Sequence, residues 1–198
     1  TLANVQAGSG SVSDEASQPE LDLKLTKLTS NPDGMMVFDA DQDGLQDVLI
    51  FVSYESPILV RQVEANKFKI VDPAKTQGSL IKDANLRSTS LADVDGKEGL
   101  ELLIAQKSFA RSLVFLEGRN WSIIDQYNSQ KSTETEVLAV AAFRIDKANP
   151  ADKPDILLLD GRRGQLQMLK AGSDETYRVE KQLDVGKGKS ATHLKMLF

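Results

Sequence analysis

The sequence has no cysteine and one histidine, His193. The first absence removes disulfide scaffolds, thiol nucleophiles and thiolate-ligated zinc or iron–sulfur centres. The second leaves no material for a multi-histidine metal site and little for a histidine-based triad. No apolar run approaches the roughly 18 residues of a membrane-spanning helix. A strong charge of one sign is also missing, because 24 Lys and Arg stand against 29 Asp and Glu for a net charge of −5. That balance disfavours nucleic acid or an anionic membrane as a partner. No stretch of ten or more residues carries a convincing 3.6-residue period, so long helices are not expected. What remains is 40% apolar and 27% charged, a mix that suits a globular fold.

The first 20 residues are rich in Gly, Ser, Gln and acids without periodicity, and read as a linker or disordered leader. From Leu21 the chain changes character. Leu21, Leu23 and Leu25 alternate with Asp22, Lys24 and Thr26, the pattern of a half-buried strand over 21–28. An acid then precedes an aliphatic run three times: Asp47 before VLIFV, Glu101 before LLIA and Asp155 before ILLL, each 54 residues after the last. Each run is followed by a second apolar segment, a polar turn and a third segment opening near an aromatic, Phe68, Trp121 or Tyr177. A further apolar segment precedes each acid. Four short strands in about 54 residues, repeated, is the pattern of propeller blades. The expected fold class is therefore all-β: a β-propeller of about three four-stranded antiparallel blades with partial flanking strands. The single domain spans 21–198, with repeats near 31–84, 85–136 and 137–190.

Residues 39–47 read DADQDGLQD. Carboxylates fall at loop positions 1, 3, 5 and 9, namely Asp39, Asp41, Asp43 and Asp47, and Gly44 is at position 6. Like charges this dense repel by up to about 4 kcal/mol per close pair at an effective dielectric of 20. A hard cation relieves that repulsion, and calcium accepts six to eight oxygens in loose geometry. The main-chain carbonyl of Leu45 is the natural additional ligand. An EF-hand opens alike but needs a Glu at position 12, where this chain has Ile50 inside a β-rich run. The second loop keeps Asp93, Asp95 and Glu101 at positions 1, 3 and 9 but puts Lys97 at position 5, where an ammonium could replace the metal. The third is longer and carries two prolines, with Asp146, Asn149, Asp152 and Asp155 off the spacing.

The D-x-D-x-D-G-x-x-D loop followed by a hydrophobic strand resembles the FG-GAP and VCBS repeats, over roughly residues 30–198. The resemblance implies a β-propeller of the kind seen in integrin α-subunits and bacterial surface proteins. It also implies structural calcium in the loop between the first and second strands of a blade.

Other features read as structure. Phe68, Trp121 and Tyr177 suit blade-to-blade packing, and His193 a satisfied structural position. Arg162 and Arg163 suit a solvated hairpin tip, and residues 186–189 an inter-blade connection. Three blades are fewer than the four to eight of ordinary propellers. Residues 194–198 read as the opening strand of a further blade. The expectation is a segment of a larger ring, completed by more of the same chain or by self-association.

The expected role is a non-catalytic, calcium-stabilised binding or scaffold module of an exported or surface protein, with a protein or carbohydrate partner. The alternatives are the propeller of a polysaccharide-active enzyme and an intracellular scaffold subunit.

Overall fold

The computed structural model describes residues 28, 30–116, 120–130, 132–144 and 153–186. The leader 1–20, the strand expected over 21–28 apart from Leu28, and Asp146, Asn149 and Asp152 lie outside the described residues. So do residues 187–189, His193 and the segment 194–198.

The described residues form twelve strands. The first sheet holds β1 (Pro32–Phe38), β2 (Asp47–Val52), β3 (Ile58–Glu64) and β4 (Lys67–Ile70). The second holds β5 (Thr89–Ala92), β6 (Glu101–Gln106), β7 (Phe109–Leu116) and β8 (Asn120–Asn128). The third holds β9 (Val137–Phe143), β10 (Asp155–Asp160), β11 (Gln165–Ala171) and β12 (Tyr177–Asp184). Each is a four-stranded antiparallel meander whose strands pair in chain order. No α-helix occurs among the described residues, and none is long and apolar enough to cross a membrane.

The aliphatic runs after Asp47, Glu101 and Asp155 become the second strand of each sheet. Side chains alternate across a strand, so a continuous apolar run signals two buried faces. On β6, Leu102 and Ile104 enter one core cluster with Leu49, Phe51 and Leu59 of the first sheet. Leu103 and Ala105 enter another with Val140, Ile156 and Leu158 of the third. The second sheet is thus sandwiched between its chain neighbours. On β2, Val48, Ile50 and Val52 turn away from it and pack with Ile58, Val60, Phe68 and Leu28.

The recurring aromatics are packing residues. Trp121 meets Phe115 edge to face, with ring centroids 5.3 Å apart, between the first and second sheets. Tyr177 meets Tyr127 in the same way at 4.9 Å between the second and third. Phe68 is half-buried on the outer face of the first sheet. Main-chain bonds tie the sheets as well: Phe115 N donates to Ala40 O at 3.1 Å and Val137 N to Lys107 O at 3.0 Å.

Candidate metal centre

Between β1 and β2 the chain must reverse in eight residues while holding three acids on one side. Gln42 and Gly44 do this in the left-handed region, at φ 57° and 88°. At Gly44 nothing crowds an added Cβ, so glycine answers the backbone angle and not a shortage of space. Asp39 fastens the turn, its two oxygens accepting from Asp43 N at 3.0 Å and Gly44 N at 2.8 Å. Asp43 Oδ1 accepts from Leu45 N at 2.9 Å.

The result gathers Asp39, Asp41 and Asp43, whose ligand oxygens lie within 4.8 Å of one another. Two oxygens on opposite sides of a calcium ion are separated by about 4.6–5.2 Å, twice the usual ligand distance. Among the described residues one cation pairs with this group. Arg61 of β3 reaches in with Nη2, bonding Asp41 Oδ2 and lying 3.2 Å from Asp43 Oδ2. Three carboxylates against one guanidinium leave an excess of negative charge. Asp41, with a side chain only 7% exposed, keeps Oδ1 buried and without a hydrogen-bond partner.

Asp47 stands apart from that group. Its Oδ2 accepts from Ala40 N at 3.1 Å and its Oδ1 from Gln62 N at 2.8 Å. It is fully buried and closes the loop onto β3. Burial pushes its carboxyl up to about 6; Asp43 and Asp39 add to that rise, and the two backbone N–H bonds oppose it. Position 9, read from sequence as a ligand, places both carboxylate oxygens on backbone N–H groups.

The second loop repeats the clamp and settles its charge differently. Glu101 Oε2 accepts from Val94 N at 2.8 Å, the same seven-residue span as Asp47 to Ala40. Burial raises its pKa. Asp93, Asp95 and Glu101 gather as the first triad does, but with two cations. Lys97 Nζ lies 2.8 Å from Asp95 Oδ2, and Arg144 Nη2 lies 3.2 Å from Asp93 Oδ2. Burial works against Asp95, yet the bonds from the Lys97 ammonium and backbone N–H together hold its carboxyl below the usual range. The lysine pairs with Asp95, and its side chain stays largely exposed. In the third copy, Asp155 is buried at the start of β10, and burial raises its pKa.

Sequence reading missed two participants, Arg61 and Gln42. Arg61 sits inside an ordinary strand pattern 18 residues beyond Asp43, with no local mark of its role. Gln42 Nε2 donates to Glu101 Oε1 at 3.2 Å, joining the first loop to the second. Comparison of the chain with protein-family models, curated proteins and solved structures gave no match. The site is therefore defined by its own residues: two acidic loops on one rim of adjacent sheets, the first with one cation against three carboxylates and the second with two.

Proposed function

We propose that the chain is a non-catalytic segment of a β-propeller of the FG-GAP/VCBS kind, stabilised by calcium in its first loop and serving as a binding or scaffold module. Three meanders packed face to face in chain order support the propeller reading, since successive blades pack in this way. Asp39, Asp41 and Asp43 would hold the ion, with the Leu45 carbonyl as a further donor. Asp47 fastens the loop behind them. The ion does no chemistry; it replaces carboxylate repulsion with coordination.

The observation that carries this reading is Asp41 Oδ1, a buried carboxylate oxygen without a partner in a cluster of three acids. Leaving such a group unpaired is costly, and a hard cation is the partner its chemistry selects. The second loop, with Lys97 and Arg144, has no equivalent need. Millimolar calcium fills even weak sites, which favours an exported or surface protein. A carbohydrate or protein is the partner class, and further blades or a second copy would complete the ring.

The test is thermal unfolding in calcium, in magnesium and in chelator. Free calcium at ten times Kd adds about 1.4 kcal/mol, or roughly 3–6 °C for a chain of this size. Asp41→Asn should abolish that shift. An identical melting temperature in calcium and chelator for the unmodified chain would overturn the metal reading.

A further inference from the structure

A cleft lies at the end of the sheets opposite the acidic loops. It encloses about 1200 Å³ where the β2–β3 turn, the connection before β5, and the edge strands β1, β5 and β9 converge. Two non-glycine residues on its rim, Tyr54 at φ 66° and Asp83 at φ 61°, hold left-handed backbone. Bulky residues rarely adopt that region, and such strain concentrates at ligand-binding positions. The two are locked together, since Asp83 N donates to Glu55 O at 3.3 Å and Glu55 N to Val52 O at 3.2 Å. What this arrangement presents is the Tyr54 side chain, 91% exposed. Both residues sit in tight turns, and the turn after β2 leaves the Tyr54 ring free in water.

The geometry points to this cleft as a binding site for a neutral oligosaccharide, with Tyr54 as its stacking platform. A sugar ring has an apolar C–H face and a hydroxyl edge, and the cleft offers partners for both. The Tyr54 ring receives the face. Around it stand short planar polar groups already fixed by the fold. Asp33 Oδ2 accepts from Ser53 Oγ at 2.6 Å. Asn85 Oδ1 accepts from Arg87 N at 3.0 Å and Ser88 N at 3.1 Å, which leaves its amide nitrogen to donate. Pre-set groups lose little freedom on binding.

The cleft's apolar lining combines Ala84, Ala141 and Ala142 with Met36, Leu91 and Val140, and Leu86 lies against Gly34 where an added Cβ would come to 3.2 Å. Ser90 Oγ donates to Val140 O at 2.8 Å, which takes up one carbonyl of the β9 edge and ties β5 to β9. Two acids, Asp33 and Asp83, against one Arg87 disfavour sulfated or uronic sugars. The volume exceeds the roughly 300–1000 Å³ of sites for a single drug-sized ligand, so several sugar units fit.

This inference rests on the reading of the chain as a binding module, but not on the metal. The experiment probes the full chain against an array of neutral and acidic oligosaccharides, then titrates the retained neutral sugars into labelled protein by NMR. Expected is retention of neutral oligosaccharides, with shifts at residues 53–54 and 83–87. Tyr54→Ala should weaken binding about tenfold or more while Tyr54→Phe keeps most of it. Tyr54→Gly should also lose binding while its melting temperature holds or rises, which separates loss of the ring from loss of the fold. No retained neutral sugar, retention of acidic sugars alone, or binding indifferent to Tyr54→Ala would each overturn the inference. Sugar binding that persists in Asp41→Asn, or fails beside an intact calcium shift, tells this site's outcome apart from that of the metal.

Discussion

Gln42 Nε2 of the first acidic loop hydrogen-bonds Glu101 Oε1 of the second at 3.2 Å, across Gly99. Gly99 holds φ 114°, and a Cβ there would come within 2.7 Å of the Gln42 side-chain nitrogen. Gly99→Ala therefore meets both backbone strain and the loss of this bond. It should destabilise the chain by about 1–3 kcal/mol, read as a lower urea midpoint. Gln42→Ala, which removes only the bond, should cost about 1 kcal/mol. Equal effects from the two would mean that strain at Gly99 is unimportant.

The clamp and the candidate ligands of the first loop should respond differently to calcium. Asp47→Ala strands the N–H groups of Ala40 and Gln62. It should cost about 2–4 kcal/mol by the same amount in calcium and in chelator. Asp43→Ala should cost most of its effect in calcium only. Parallel denaturant curves in both media decide this; a calcium-dependent penalty at Asp47 would return it to the ligand set.

Burial on both faces makes β6 the strand least tolerant of truncation. Leu102 and Leu103 are each 0% exposed and belong to separate core clusters. Leu102→Ala or Leu103→Ala should each cost about 2–5 kcal/mol. Leu157→Ala, on the half-buried outer side of β10, should cost clearly less. Urea titrations of the three variants would contradict the layered packing if Leu157 proved the most costly.

Two of the three tyrosines should resist alkali. Burial raises the phenol pKa of Tyr127, against a lowering bond to Ser112 Oγ at 3.0 Å, and burial likewise raises that of Tyr177. A raised folded-state value means that the stability these phenols contribute is complete below their unfolded pKa of about 10. It is lost as pH rises toward the folded values. Absorbance at 295 nm should show both ionising together with the loss of secondary structure. Full ionisation of all tyrosines in a still-folded chain would refute the packing of this pair.

The strand plan was legible in the sequence because it is local. The acids at 47, 101 and 155 mark the openings of β2, β6 and β10, and the unbroken aliphatic runs behind them mark strands buried on two sides. The gathering of Asp39, Asp41 and Asp43 was legible for the same reason, since three residues of one turn share one side of it. Arg61 and Gln42 were not, because their partners are 18 to 59 residues away and are met only after the sheets have packed. The backbone bonds of Asp47 were illegible on a different ground. A carboxylate reads identically in sequence whether its oxygens face an ion or a pair of amides, and only the closure of the loop onto β3 distinguishes them.

That closure is repeated in the second loop. Asp47 and Glu101 each hold an amide seven residues earlier, although their loops carry different companions. Position 5 changes from Asp43 to Lys97 between the two loops, while the acid at position 9 accepts the same backbone bond in both. The second loop carries Lys97, paired with Asp95, and still keeps the strand connection closed through Glu101.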